Sequence, residues 1–201
     1  VWPEAGLTAA SAEFGLRHLA AVRERCDPDS DLLLSGGVGP LGPAAEEGLP
    51  PAAHVDHTAM FAAALQATGE MLAAAGRDVD ARWHLGLAER CRTVLLTNLW
   101  DEWDHCFYDR AHDGGEPVRV PQATGFAPFA FGLVPDEPGY ARALALLTDE
   151  RHFWTEHPVA LASRTAADTV PAAGLTLPYA NSLVADAMAY ALRSLKQRHV
   201  T

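Results

Sequence analysis

Long apolar runs, basic charge and paired cysteines are all scarce in this chain, and each scarcity closes off a class of function. No stretch approaches the roughly 18 uncharged apolar residues of a membrane-crossing helix, so no membrane partner is expected. Lys and Arg number 15 against 26 Asp and Glu, for a net charge of −11. A phosphate backbone is held by a basic stripe, and none is visible, so no nucleic-acid partner is expected either. The 3 cysteines, Cys26, Cys91 and Cys106, lie far apart without CxxC spacing. They read as reduced thiols serving as small buried hydrophobes, not as a disulfide frame or a zinc site. The start, Val1-Trp2-Pro3-Glu4, offers neither the basic nor the apolar segment of a secretory leader. A cytoplasmic protein without metal or other cofactor is the expectation.

Several chemical motifs are missing as well. Ser35 is not set in a G-x-S-x-G elbow. Gly36-Gly37-Val38-Gly39 lacks the Lys–Ser/Thr pair of a phosphate loop. Asp29 and Asp31 lack the glycine and distal Glu of a calcium loop. His54 and His57 are spaced for one face of a helical turn, but no third metal ligand follows at matching spacing.

What the chain does have is helical periodicity. Hydrophobic residues make up 49% of it, ordinary for a globular protein, and its length suits one core, so residues 1–201 are read as a single domain. Apolar spacing predicts helices from about Thr8 to Arg25, Val55 to Ala75, Asp78 to Leu99 and Asn181 to Lys196. Between Thr124 and Leu147 it predicts a short helix and then a longer one from Glu137, separated by Pro135 and Pro138. Gly76 suits the position after a helix end and Asp78 an N-cap, so Gly76-Arg77-Asp78 should join an antiparallel helical hairpin. Leu34 to Ala53, rich in Gly and Pro, reads as a long loop, the kind that tends to carry function. Leu99 to Arg110 reads as a small hairpin, with Trp100, Trp103, Phe107 and Tyr108 as satellite core. The class is therefore all-α.

Five ordered segments add a family resemblance. They are Val55-Asp56; Asn98-Leu99-Trp100-Asp101-Glu102 with Phe107-Tyr108-Asp109; Thr124 to Leu133; Asp149 to Trp154 with Pro158-Val159; and Pro178 to Val184. In order and spacing they resemble the (α/α)6 glycosidase group: glycoside hydrolase family 63, the trehalases and the mannosylglycerate hydrolases. The resemblance implies a central or C-terminal, incomplete part of a toroid of antiparallel helical hairpins with long loops on one face. It also implies a small-molecule or oligosaccharide ligand, and a remainder of the toroid that lies outside this sequence or comes from a second copy as a homo-oligomer.

An inverting glycosidase needs two carboxyls roughly 6.5–9.5 Å apart, one donating a proton and one activating water. The group's acid is an Asp whose place in Ser35 to Pro40 falls on Val38. Its Trp-Arg-Gly-Pro clamp would fall on Ala172 to Leu177, where only Gly174 agrees. The resemblance thus implies an inactive or repurposed hydrolase, or one whose acid has moved. Asp56, Glu46 and Glu47 are the candidate catalytic carboxyls; Glu46 or Glu47 would be a relocated acid with its pKa raised by apolar surroundings. Candidate ligand contacts are His54, His57, Phe126, Tyr179 and Asn181. Blander roles remain open: Asp56 favouring a helix dipole, Asn181 as an N-cap, Glu46 and Glu47 as a solvated pair. Two other functions remain open as well. One is a sugar epimerase-like toroid using paired imidazoles from His54, His57, His105, His152 and His157. The other is a non-catalytic helical binding or assembly module.

Overall fold

The computed structural model describes residues 9–24, 26, 34–35, 52–111, 115–156, 159–166 and 175–198. Val38, Glu46, Glu47, His157 and Ala172 to Gly174 lie outside them. Two long helices form the frame: α2 (Val55–Ala74) and α3 (Asp78–Asn98). They run antiparallel because the turn between them reverses the chain in three residues. Gly76 takes φ +74°, a left-handed conformation open to glycine at little cost. Its N–H bonds the Ala73 carbonyl (3.0 Å) and the Arg77 N–H bonds that of Leu72 (2.9 Å), the paired bonds of a Schellman end. The far side departs from expectation. Arg77, not Asp78, is the N-cap of α3; Asp78 is already helical, and Asp80 accepts from Arg77 Nε at 2.8 Å.

The two helices divide the labour. On α3 the buried residues Ala81, His84, Leu87, Ala88, Cys91 and Leu95 follow one helical stripe. On α2 burial spreads round the helix, from Val55, Asp56 and Thr58 to Phe61, Leu65 and Leu72. A helix buried on several faces is an inner helix, and α2 is packed by α3, by α1 (Ala9–Arg23) and by the segment after residue 122. Close approach to α3 is allowed at Gly69, where a Cβ would fall 2.7 Å from Leu85 Cγ.

Short strands close one end of this layer. β1 (Leu34–Ser35) pairs antiparallel with β2 (Ala52–Ala53), so the expected long loop has its ends tied as a ladder, Leu34 opposite Ala53. After α3 comes the expected hairpin, β3 (Trp100–Asp101) with β4 (Cys106–Phe107). β5 (Arg110–Ala111) then joins the free side of β2, Arg110 opposite Ala53. Trp100 packs with Phe107 and Tyr140 as expected. Trp103 does not. At the hairpin tip it is 93% exposed, because the turn projects it away from the body.

The remaining helices are shorter than the spacing suggested, with one exception. A 3-10 turn, Ala123–Phe126, leads into α4 (Ala127–Ala130). The helix expected from Glu137 is only α5 (Pro138–Ala143), continued as a 3-10 segment, Leu144–Thr148. α6 (Pro178–Arg198) is the exception and begins three residues before Asn181. Proline at a first helical position loses no bond, since that N–H would be unpaired anyway. Asn181 is therefore not an N-cap: its backbone N–H and its Nδ2 both donate to the Leu177 carbonyl, each at 3.0 Å. Phe126, Phe129, Phe153, Leu161 and Leu183 fill the core where α2, α4 and α6 meet. The fold is all-α, a partial (α/α) toroid.

Candidate functional site

The strand pairing decides where polar groups gather. Because β5 lies beside β2, Asp109 arrives next to His54 and the first turn of α2. Asp109 Oδ1 accepts the Val55 N–H at 2.9 Å, and Oδ2 lies 2.7 Å from His54 Nδ1. Gln122 Nε2 donates to the same Oδ2 at 3.4 Å, and the Thr124 hydroxyl lies 3.5 Å from Gln122 Oε1. All four of these side chains are buried. A helix start leaves its first amides unpaired; here a carboxylate from another element supplies the acceptor, and its charge suits the positive end of the helix.

Asp56 is the second buried carboxyl, 1% exposed. Its Oδ1 accepts the His57 N–H at 2.9 Å, and its Oδ2 accepts the Tyr179 hydroxyl at 3.2 Å. Tyr179, in the first turn of α6, is 41% exposed and also lies 3.2 Å from Met60 Sδ. The two first turns of α2 and α6 thus meet through one phenol–carboxylate bond, with the phenol on the solvent side. The imidazoles of His54 and His57 stand edge to face, centroids 5.3 Å apart.

The electrostatics follow from this geometry. Burial pushes the Asp56 pKa above its ordinary value; the nearby Asp109 adds to the rise, while His57 and His54 oppose it. For His54 burial works against the charged ring, but the Asp109 hydrogen bond and the charges of Asp109 and Asp56 outweigh it. Its pKa is raised. A carboxyl and an imidazole, each with its pKa raised, therefore stand side by side, an arrangement suited to binding hydroxyls and to moving a proton.

The structure brings Asp56, His54, His57 and Tyr179 together, with Asn181 in the same turn as Tyr179. It does not bring Phe126 to them. Phe126 is 4% exposed, its ring against Phe153 and Phe129. The opening it borders is only about 10 Å³, room for a single water. Other histidines are engaged separately, His105 with Arg142 and His152 with Ser163. Among the described residues no group of His, Cys, Asp and Glu is placed to hold a metal. The larger cavities, about 350 Å³ beside α5 and α6 and about 460 Å³ between α1 and α3, are lined mostly by apolar side chains and border neither Asp56 nor Asp109.

Asp109 was not expected as a site residue. The signal lay in the Phe107-Tyr108-Asp109 segment: an acid placed directly after two buried aromatics is carried toward the interior with them.

Residues 37–197 match the family model of the mannosylglycerate hydrolase MGH1-like glycoside hydrolase domain. The chain belongs to that family. No curated protein matches its sequence. Among solved structures a sialidase is similar over 90% of this chain and 17% of its own, with TM-score 0.78 and 16% identity. A GH63 mannosylglycerate hydrolase from Thermus thermophilus, solved with glucose, is similar over 74% of this chain and 35% of its own, with TM-score 0.60 and 18% identity. A neutral trehalase from Saccharomyces cerevisiae is similar over 69% of this chain and 28% of its own, with TM-score 0.52 and 12% identity. At these identities the likeness carries the fold, and this glycoside hydrolase-like chain spans about a third or less of each of those three proteins. No helix among the described residues is long and apolar enough to cross a membrane.

Proposed function

We propose that this glycoside hydrolase-like domain takes an α-linked sugar where α2, β5 and α6 meet, with Asp56 as its acid–base group. The observation that supports this most is the Asp56–Tyr179 bond, a buried carboxyl with a raised pKa under a half-exposed phenol. A general acid must keep its proton close to the working pH, and burial beside a second carboxyl has that effect. Tyr179 occupies Asp56 Oδ2, so a sugar hydroxyl or glycosidic oxygen reaches the acid by taking the place of the phenol. His54, His57 and Asn181 complete the polar surroundings, and Glu46 or Glu47 supplies the second carboxyl from the segment between β1 and β2. The remainder of the ring comes from a longer polypeptide or a second copy. Three thiols outside any disulfide support a reducing, cytoplasmic setting.

A second reading, recognition without turnover, is favoured by two observations. Val38 stands at the acid position of the resemblance, and both Asp56 oxygens are already bonded. One experiment separates the readings. Release of p-nitrophenol from aryl α-glucoside and aryl α-mannoside is followed together with saturation-transfer NMR of the methyl glycosides. Hydrolysis requires release that is lost in Asp56→Asn and binding that is weakened in Tyr179→Phe. Binding without release leaves recognition alone, and neither binding nor release sinks both readings.

A further inference from the structure

The β3–β4 hairpin carries a feature that the site at α2 does not use. Its tip presents Trp103 almost entirely to solvent, 93% exposed. The tip is braced, not loose. Asp101 Oδ1 accepts the backbone N–H of both Trp103 and Asp104, each at 2.9 Å. Arg119 Nη1 bridges Asp104 Oδ2 (2.8 Å) and Asp101 Oδ2 (3.1 Å), and its guanidinium lies 5.9 Å from the centre of the Tyr108 ring. The Tyr108 hydroxyl donates to Asp104 Oδ2 at 3.0 Å. At the end of the turn His105, at φ +51°, contacts Arg142 Nη1 at 3.1 Å, which ties the turn to α5. Two arginines and a pair of carboxylates thus fix a turn whose outermost side chain is an indole.

Position adds a second argument. α3 runs back toward the end where α2 begins, and the hairpin follows α3 directly. Asp109, which holds that α2 start, is six residues after Trp103; an extended chain spans at most about 3.6 Å per residue, so the two lie within roughly 20 Å. Trp103 therefore stands at the end of the molecule where Asp109 holds the α2 start, and roughly 20 Å is the length of a short oligosaccharide.

We infer that Trp103 is an outlying stacking platform for a pyranose ring, gripping an oligosaccharide at a distance from the Asp56–Tyr179 site. The inference rests on the sugar reading of that site and deepens it, since it makes the ligand a chain of sugars and not a single one. The chemistry of the tip favours sugar over protein. An indole face is electron-rich and takes the electropositive C–H face of a pyranose. Asp104 and Arg119 beside it offer an acceptor and a donor to the ring hydroxyls. A protein partner needs much more: a stable interface buries about 800 Å² on each side, while one indole supplies at most about 250 Å². The residues around Trp103 are Glu102, Asp104 and His105, which extend no apolar patch.

The test uses the whole chain and linear α-linked gluco- and manno-oligosaccharides from one to six units, with affinities read by titration calorimetry. Trp103→Ala should weaken the longer oligosaccharides by about tenfold, the loss of one aromatic contact. The methyl glycosides should stay within about twofold, because they reach only the inner site. Trp103→Phe should restore most of the lost affinity. An exposed indole packs against nothing, so neither variant endangers the fold. Equal affinity of Trp103→Ala and the unaltered chain for every length overturns this inference and leaves the inner site standing. No binding of any length to the unaltered chain overturns both. Self-association that Trp103→Ala abolishes, seen by sedimentation velocity, also overturns it, by making the tip a protein contact.

Discussion

The Tyr179 hydroxyl donates to Asp56 Oδ2 at 3.2 Å across 123 positions of sequence, joining the first turns of α6 and α2. Asp56 is buried while the phenol stays partly exposed, and that burial makes Asp56 the group whose charge the fold bears at a cost.

That cost sets a pH dependence. The folded pKa of Asp56 lies above its ordinary 3.8. The stabilising contribution of its protonated form is complete below that ordinary value and is lost as pH rises through the folded pKa. Asp56→Asn holds the neutral form at every pH. It should therefore be more stable than the unaltered chain at pH 7, with the difference vanishing toward pH 3, as measured by guanidinium unfolding at several pH values. Lower stability of the variant at pH 7 would contradict the argument.

His54 titrates with the same sign in a different window. Its folded pKa is raised above 6.5, so its ion pair with Asp109 contributes fully below pH 6.5 and fades as pH climbs past the folded value. Proton NMR should show the His54 imidazole titrating at a higher pH than an ordinary histidine. Asp109→Asn should bring that resonance back toward ordinary behaviour.

Asp109→Ala should be among the most damaging single changes. It strips the acceptor from a buried imidazole and a buried helix-start amide, and each orphaned group costs about 1–3 kcal/mol. A loss of about 2–4 kcal/mol in urea unfolding is expected. A change under about 0.5 kcal/mol would mean that water replaces the carboxylate.

Gly69→Val tests the approach of α2 to α3. A Cβ there would already stand 2.7 Å from Leu85 Cγ and 3.2 Å from the Leu85 nitrogen. Overpacking costs about 1–3 kcal/mol and exceeds the helix-propensity gain of a few tenths. For a chain of this size the melting temperature should fall by about 2–4 °C for each kcal/mol.

Cys106 should be chemically quiet. Burial first, and then the charge of Asp104, push its pKa up to about 12, and the side chain is buried. Iodoacetamide at pH 8 should spare Cys106 and the buried Cys91 in the native protein and modify the half-buried Cys26 first. Denaturant should erase that order.

The α2–α3 hairpin was legible because its information is local. Apolar spacing marks both helices, and Gly76 marks the reversal, since few other residues accept its backbone angle. The start of α6 is marked by Pro178 and not by Asn181: a proline fits the first helical position, and Asn181, three residues on, bonds back to the Leu177 carbonyl. Asp109 was harder. Its partners His54 and Val55 are more than fifty positions away, brought near only by the pairing of β5 with β2. Trp103 shows the opposite failure, because hydrophobicity alone cannot tell a side chain at a turn tip from one in a core.

The capping of α2 by Asp109, the residue just before β5, turns one backbone proton into a gauge of assembly. The amide of Val55 is shielded by Asp109, not by a carbonyl of its own helix. Isotope exchange at that single proton would therefore clock the undocking of β5 from β2, while exchange further along α2 clocks the unwinding of the helix itself. The two rates would separate a local loosening of the site from a global loss of the fold.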